Sequence, residues 1–256
     1  MRITEAPIHA SLAVTDLARA REWYADKLGW EPSVEAPGTL VYEVLGGSAF
    51  TLFETPNAGT AKNTVMAWNV QDAAARVAEL RARGVVFEDY DFGEYKTVDG
   101  LMTDPNGNVT AWFKDPDGNI LTVVSGPDDP RPESLGAMIA ASDLGRARAW
   151  YADKLGFQPM FELPGIVLGY SSGDSTFTVY QTEFAGTAKN TVGVWRLTGL
   201  VDEVARLREQ GVVFDDIDFG DGDVTVGGIL SDADGPVNAW FTDSEGNSLA
   251  IAEDRR

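Results

Sequence analysis

The sequence predicts an α+β protein built from two copies of one module, and three patterns lead to this prediction. Residues 16–32 and 143–159 agree at 13 of 17 positions, at an offset of 127. Within each copy, short apolar runs of strand length alternate with two stretches of helical periodicity. The order of these runs predicts two βαβββ units in each copy, so the chain of 256 residues would contain four.

The repeat also sets the expected domain boundaries. Residues 58–65, AGTAKNTV, return unchanged at 185–192, whereas Trp112 returns as Trp240 at an offset of 128, after the insertion of one residue. The join, SGPDDPRPE, is rich in proline and charge and has no apolar periodicity, which is typical of a linker. We therefore expect a first module at 1–125, a linker at 126–133 and a second module at 134–256.

The elements of the first copy follow from periodicity and capping residues. An apolar run at 9–14 predicts a strand, and Asp16 is a good N-cap for the helix after it. Apolar residues at helical spacing continue towards Gly29, a residue typical of helix ends. Residues 115–118, DPDG, have the chemistry of a hairpin turn. Further strands are expected at 40–45, 49–53, 65–70, 85–87, 101–103, 109–113 and 120–124, with a turn at Gly46 and Gly47 and a second helix at 74–84.

The composition argues against several classes of function. A net charge of −20 disfavours nucleic acids and anionic membranes, which bind clustered Lys and Arg. The chain has no cysteine, so disulfides and thiol chemistry are excluded. No apolar run approaches the ~20 residues that span a bilayer, and residues 1–14 lack the pattern of a secretory signal. We expect a cytoplasmic protein with a small-molecule partner. Its acidic balance suits either solubility or attraction of a cationic ligand.

The motifs resemble those of the vicinal oxygen chelate (glyoxalase/bleomycin-resistance/dioxygenase) superfamily. The resemblance is carried by residues 9–16 leading into the WYADKLG helix, by 65–72 leading into AELRARG, and by the hairpin AWFKDPDGNI. It implies that the two βαβββ units of each module form a curved mixed sheet with an open cleft. The superfamily includes lyases, isomerases, dioxygenases, thiol transferases and drug-binding proteins, so the resemblance leaves the function open.

Metal-using members of the superfamily offer ligands at four strand positions per site, and most of these positions lack a donor here. Only His9 carries a good one, and Glu54 and Gln181 lie two residues beyond another such position. A divalent ion needs several nitrogen or oxygen ligands, so we expect no metal and no cofactor. The aligned positions are His9, Leu52, Val65 and Thr122 in the first half and Gly136, Val179, Val192 and Ala250 in the second.

Strand alternation predicts which side chains line the clefts. The set is apolar and aromatic with a few polar groups, which is typical of a small-molecule pocket. Trp112 and Trp240 would stack on a flat or cationic ring or else belong to the core, and Arg196 would anchor a substrate or form a salt bridge. Trp68 and Trp195 fall on the opposite phase, towards the helices. The ligand-binding candidates are His9, Phe50, Glu54, Asn69, Trp112, Met138, Phe177, Gln181, Arg196 and Trp240.

Two pairs of loops are candidate lids over the clefts, with a solvated surface loop as the alternative. The first pair is the repeated AGTAKN segment. The second pair differs in charge, because residues 89–99 carry Tyr95 and Lys96 whereas 216–225 are acidic. We therefore expect the two clefts to bind the same ligand unequally.

Two functions of different classes remain. The first is a metal-independent binding protein that sequesters a hydrophobic, flat or cationic molecule such as an antibiotic, and the apolar ligand positions favour it. The alternative is a metal-independent enzyme of small-molecule or secondary metabolism, which would be an isomerase, lyase, hydrolase or cyclase and in type a glyoxalase-like lyase or isomerase. His9 and Glu54 would be its acid–base pair, with Tyr95 nearby. A metal-dependent lyase or dioxygenase is third. We expect a monomer with pseudo-twofold halves, with a homodimer as the alternative.

Overall fold

The computed structural model describes residues 1–44, 47–91, 93, 95–127, 132–220, 224–231 and 236–253. The predicted turn at Gly46 begins outside these residues. In the first half the elements are β1 (Ile8–Val14), α1 (Leu17–Trp23), β2 (Val34–Ala36), β3 (Thr39–Glu43), β4 (Ala49–Glu54), β5 (Thr64–Asn69), α2 (Ala73–Ala82), β6 (Phe87–Glu88), β7 (Met102–Thr103), β8 (Val109–Lys114) and β9 (Ile120–Ser125).

The second half repeats this order, so the predicted series of βαβββ units is confirmed. Its elements are β10 (Ser134–Ala141), α3 (Leu144–Trp150), β11 (Phe161–Leu163), β12 (Val167–Ser172), β13 (Ser175–Gln181), β14 (Thr191–Arg196), α4 (Leu200–Glu209), β15 (Ile229–Ser231), β16 (Val237–Thr242) and β17 (Ser248–Glu253).

The predicted cap of the first helix is present, but its end has an unexpected form. The Asp16 carboxylate accepts from the Arg19 backbone N–H, and Gly29 has a φ of 74°, the left-handed conformation that ends many helices. Between them, α1 passes into a turn of π-helix at Tyr24–Leu28. A π-turn widens the helix by one residue and leaves no signature in apolar spacing, so periodicity predicted an ordinary helix.

The chain divides into two compact units that differ from the predicted modules. Unit 1 comprises Met1–Ala10 and Ala137–Arg256, and unit 2 comprises Ser11–Gly136. The first ten residues therefore group with the second half of the sequence. In the predicted linker, residues 128–131 lie outside the described part of the chain.

Strand pairing is mixed in both units. In unit 2, β5 and β9 are parallel, whereas β8 pairs antiparallel with β9, β6 and β7. In unit 1, β14 and β17 are parallel and β16 lies antiparallel to β17, while β10 and β13 form a second parallel pair. Helices cover one face of these strands: α2 packs on β8 and β9, and α4 on β16 and β17. The predicted α+β class with mixed sheets is confirmed.

Each unit has an aromatic core beneath its first helix. In unit 2, Tyr42 stacks on Phe50 with ring centroids 4.6 Å apart, and Tyr24 of the π-turn lies 5.4 Å from Phe50. In unit 1, Tyr170 and Phe177 stack at 4.8 Å. The repeat thus preserves a core that holds each helix on its sheet. No helix in the described part of the chain is long and apolar enough to span a membrane.

Candidate functional site

The position of Trp195 shows which face of β14 is covered by a helix. This side chain is fully buried and stacks on Phe241 on the side covered by α4. Because successive strand residues point to opposite faces, Val194 and Arg196 point away from the helix. We call the side of β14, β16 and β17 that faces away from α4 the open face of unit 1.

A row of four residues crosses this open face. His9 of β1 pairs with Val194, Val194 pairs with Ala250 of β17, and Ala250 pairs with Trp240 of β16. At ~4.8 Å per strand, the row is ~14 Å long. His9, Val194 and Trp240 are half-buried, and Ala250 is buried between them. The row therefore has large side chains at its ends and small apolar ones in the middle.

A second row runs beside the first on the same face. Arg196 pairs with Ala252, and Ala252 pairs with Asn238. Arg196 lies two residues beyond Val194, which places it diagonally next to His9 across the β1–β14 pair. The two alanines and Val194 make a low floor, which we call the alanine floor (Val194, Ala250, Ala252). Larger polar and aromatic side chains surround it.

The equivalent face in unit 2 carries its small and large side chains at different positions. Its rows run Trp112–Thr122–Ala67 and Thr110–Val124–Asn69. Thr122 and Val124 therefore stand where unit 1 has Ala250 and Ala252, while Ala67 stands where unit 1 has Val194. The two central positions are alanines in unit 1 alone.

Trp240 and Trp112 each contact an aromatic residue from the loop that follows the second helix of its half. Phe219, which is half exposed, lies 5.1 Å from Trp240 between ring centroids. Tyr90 meets Trp112 edge-on at 5.7 Å. At the Trp240 end, Asp215 donates its backbone N–H to the Trp240 carbonyl, and burial raises the pKa of its carboxyl. Sequence analysis missed Phe219 because a lone aromatic in an acidic loop has no periodicity.

The expected face was wrong for Phe50 and Phe177. Both are fully buried on the helix side, where Tyr24 and Tyr151 pack on them, and neither lines an open face. In β13, Thr176 and Thr178 alternate with Phe177, and in β4 the residues on both faces are buried, so alternation separated the two faces of each strand without showing which one meets the helix.

Glu54 lies four residues after Phe50, and Gln181 four residues after Phe177, so each points to the same face of its strand as that phenylalanine. Their predicted position on the cleft face was therefore wrong as well. Both lie exposed at the last residue of β4 and β13. The Gln181 amide donates to the Ser142 backbone carbonyl at the strand end. Their catalytic or binding roles stay predictions.

Two other candidates lie on faces that point away from the helices, and a third lies in a loop. Met138 is half-buried and pairs with Thr178, one residue out of phase with Phe177. Asn69 pairs with Val124, and its amide contacts the Ser134 hydroxyl at 3.4 Å. Tyr95 is half-buried in the loop at 89–99, of which residues 92 and 94 lie outside the described chain.

The repeated AGTAKN segment packs against a hairpin. Gly59 has a φ of 70°, and a Cβ there would meet the Asp117 carbonyl oxygen at 2.6 Å. Gly186 lies equally close to the Glu245 carbonyl, at 2.8 Å. Only glycine fits such an approach, so the unchanged sequence of this loop follows from its packing and requires no role as a lid.

A buried carboxylate fixes each hairpin to the first helix of its half. Asp115 accepts hydrogen bonds from the Tyr24 hydroxyl at 3.1 Å and from the Asn119 amide at 2.8 Å. Burial raises its pKa to about 6 despite these donors. Asp243 and Tyr151 repeat the contact at 3.0 Å, and burial also raises the Asp243 pKa. These groups are structural and lie away from the open faces.

The residues of the open face do not fit a divalent metal ion. His9 is flanked in its row by Val194 and Ala250, which have no lone pair to donate. Within the described ranges, no group of three or more His, Cys, Asp or Glu side chains is arranged to hold a metal. A catalytic zinc site has three protein ligands, and this row supplies one.

A separate recess of 460 Å³ lies at the N-terminus of α4, away from the open face. Within it, the Glu203 carboxylate binds Arg206 at 2.7 Å and accepts from the Ile3 backbone N–H at 2.8 Å. These contacts hold the N-terminal segment in place. The lining residues are Met1, Arg2, Glu5, Gly199, Asp202, Glu203 and Arg206.

Comparison with known families agrees with this geometry. Residues 7–123 match the sequence profile of the Glyoxalase/Bleomycin resistance protein/Dioxygenase superfamily. These residues, and with them the first half of the chain, belong to that superfamily. The second half joins this vicinal oxygen chelate member as an internal copy, because it repeats the same elements in the same order. No curated protein matched the sequence closely enough to count as a relative.

Solved structures share the fold over the whole length of the chain. A protein of Bacillus subtilis subsp. subtilis strain 168, provisionally named a dioxygenase, is 15% identical, with a TM-score of 0.64 over 100% of this chain and 87% of its own. Glyoxalase I of Zea mays is also 15% identical, with a TM-score of 0.64 over 98% of this chain and 92% of its own. At this identity the likeness establishes the tandem fold alone.

Proposed function

We propose that this vicinal oxygen chelate protein binds a small, flat, largely apolar molecule on the open face of unit 1 and does so without a metal ion. The observation that carries the proposal is the alanine floor between Trp240 at one end and His9 and Arg196 at the other. Planar rings stack well on tryptophan, and a pocket with an apolar floor and a few polar groups at its edge is typical of ligand sites.

The absence of suitable metal donors in the rows favours binding over metal-dependent turnover. His9 sits next to apolar side chains, and the strand phase of Glu54 is that of the helix-packed residues. An antibiotic or another aromatic secondary metabolite is the kind of molecule that such a face would sequester.

Native mass spectrometry of the purified chain, before and after incubation with aromatic metabolites, tests the proposal. We expect one ligand per chain, released at unchanged mass, and no bound metal. Trp240→Ala should abolish the complex. Trp112→Ala, the matched change in unit 2, should leave it intact. Binding that survives Trp240→Ala at full strength, or no binding by any compound, would overturn the proposal.

One observation keeps an enzymatic function as the second candidate. His9 is the only histidine of the chain, and it lies at the edge of the proposed site. Histidine is the side chain best suited to proton transfer near neutral pH. A ligand returned at altered mass would support catalysis, and His9→Gln should then stop turnover while the ring of the ligand still binds on the alanine floor against Trp240. Turnover that continues in His9→Gln would remove His9 from the mechanism.

A further inference from the structure

The two open faces differ in charge at one matched position. Arg196 in unit 1 pairs with Ala252, and its equivalent in unit 2 is Asn69, which pairs with Val124. The one lysine beside the row of Trp112 is Lys114, which is ion-paired with Glu88 at 2.8 Å. Unit 1 thus combines a permanent positive charge with two central alanines, since guanidinium groups stay protonated in proteins.

We propose that the ligand of the unit 1 face is an aromatic carboxylate, with its ring on the alanine floor against Trp240 and its carboxylate at Arg196 and His9. This inference rests on the proposed function and specifies its ligand class. Arginine presents paired N–H donors that match the two oxygens of a carboxylate.

The spacing of the residues suits a two-ring compound. His9 and Arg196 are diagonal neighbours across an antiparallel pair, with backbones roughly 7–8 Å apart, so both side chains can reach one carboxylate. Trp240 lies two strands from Arg196, or ~10 Å across the sheet. A bicyclic ring bridges this distance over Val194, Ala250 and Ala252.

The net charge of −20 favours a cationic ligand at long range. At this face, however, the charged groups in direct contact with the ligand determine which ligand charge is bound. At physiological salt, charges more than ~8 Å away are largely screened, whereas a direct pair with Arg196 is not. Asp215 lies at the opposite, Trp240 end of the row, where its backbone N–H donates to the Trp240 carbonyl. Arg196 therefore supplies a guanidinium at the end of the row away from this carboxylate.

The test compares three probes with one ring system. These are 2-naphthoate, the neutral 2-naphthalenemethanol and the cationic 2-naphthylmethylamine, titrated by calorimetry into the full chain. The ring signals of His9, the only histidine, report binding at the proposed end by NMR. We expect the carboxylate to bind about tenfold or more tightly than the alcohol, because hydrogen bonds to charged groups are the stronger kind, and the amine to bind most weakly.

Matched variants separate specificity from general binding. Arg196→Asn, which installs the unit 2 residue, should remove the preference for the carboxylate while the alcohol still binds. Arg148→Asn removes a positive charge from α3 of the same unit and should keep the preference, because this side chain is half exposed and pairs with Glu162. The double variant Ala250→Thr/Ala252→Val, which adds bulk at the two central positions of the floor and keeps Val194, should lose all three probes.

The outcomes distinguish the two proposals. If the alcohol or the amine binds as tightly as the carboxylate, or if Arg148→Asn acts like Arg196→Asn, the ligand class is wrong but the binding face stands. If none of the probes binds at about 1 mM, a concentration that detects interactions of only ~4 kcal/mol, both the ligand class and the face are overturned.

Discussion

Trp195 and Trp68 are the buried tryptophans that support the sheets, and they differ in whether a hydroxyl group accepts a hydrogen bond from the indole N–H. Trp195 donates its Nε1–H to the Ser172 hydroxyl at 2.9 Å, and Ser172 in turn donates to the Ala6 carbonyl at 2.8 Å. In the first half Val44 stands in place of Ser172, and within the described chain Trp68 Nε1 is buried with no acceptor. A cation–π contact from Arg76, 4.7 Å above the ring, offsets part of this cost.

Replacing Ser172 with Ala should destabilise the protein by about 1–3 kcal/mol, because it leaves the Trp195 N–H buried without an acceptor. Urea denaturation measures the loss. The matched control is Ser171→Ala, at an exposed neighbour on the same strand, which should change stability by less than about 0.5 kcal/mol. Equal losses in the two variants would rule out the hydrogen bond as the cause.

The buried carboxyl of Asp115 should make stability depend on pH in the direction opposite to that of an ion-paired carboxylate. Its pKa in the folded protein is about 6, above its ordinary value of 3.8, because burial disfavours the charged form. The folded state therefore holds the proton more tightly. The stability contributed by this group is fully present below about pH 4 and is lost as pH rises through about 6, by on the order of 3 kcal/mol.

Measuring the free energy of unfolding of the wild type and of Asp115→Asn at pH 4 and pH 7 isolates this effect. The advantage of the wild type over the variant should shrink as pH rises. Asp117 should behave in the opposite way: burial would raise its pKa, but hydrogen bonds from Thr15 and Arg19 outweigh that effect and lower it. A wild-type advantage that grows between pH 4 and pH 7 would contradict the assignment for Asp115.

At the scale of the elements, the hairpin before the last strand of each half is locked to the AGTAKN loop. The Asp117 hydrogen bonds hold the end of β1, through the Thr15 hydroxyl at 2.6 Å, and Gly59 lies against the Asp117 carbonyl. One turn thus joins a strand end, a helix start and a loop. This arrangement explains why the loop sequence is the same in both copies.

Gly59→Ala should therefore cost more than an ordinary glycine replacement. Gly38 has nearly the same φ, 71°, but a Cβ there would meet nothing within 4 Å, so Gly38→Ala reports the backbone strain alone, about 1 kcal/mol. The added clash with the Asp117 carbonyl should make Gly59→Ala the more destabilising by a further 1–3 kcal/mol or so. Thermal denaturation of both variants checks the difference. Indistinguishable melting temperatures would show that the loop yields freely.

The elements were largely predictable from the sequence, whereas the orientation of two strands was not. Apolar spacing and the capping residues Asp16 and Gly29 located the first helix, because both act through local backbone chemistry. Strand β4 has four buried residues in succession, so no alternation of burial marks its helix side, and Phe50 was assigned to the wrong face. The deciding information was the packing of Tyr24, which comes from another element.

The alanine floor was only partly predictable. Trp240 and Ala250 were assigned to the cleft of the second half and His9 to the cleft of the first, so their common face was not predicted, and Ala252 and Asn238 were not selected. A signal for the two alanines is the repeat itself. Aligned at the offset of 128, Thr122 and Val124 become Ala250 and Ala252. Positions i and i+2 lie on the same face of a strand, so two smaller side chains there indicate where that face is low.

At the scale of the whole molecule, the dominant property is its charge. With 40 acidic and 20 basic residues, the folded chain repels itself electrostatically. The ion pairs that the structure describes are mostly exposed, such as Lys96–Asp91, and pairs of that kind contribute little. Added salt should therefore stabilise the folded chain by screening the repulsion more than it destabilises it by screening the ion pairs.

The melting temperature should accordingly rise when salt increases from about 10 mM to about 300 mM, because the Debye length falls from ~30 Å to below 8 Å. Scanning calorimetry in NaCl and in KCl measures it, and the two salts should act alike, since screening depends on ionic strength. A fall in both salts would show that attractive pairs dominate the stability.

The grouping of Met1–Ala10 with the second half has a practical consequence for dissecting the gene. A fragment that starts at residue 134 would leave β14 without its Ile8–Ala10 partner and expose a bare strand edge, a common cause of aggregation. It would also lack His9. Expressed alone, the second half should be insoluble until a synthetic peptide of residues 1–10 is supplied, or until the codons for that peptide are moved to its 3′ end with a connecting sequence. A fragment that corresponds to unit 1 therefore needs a permuted order, in which residues 1–10 follow the second half.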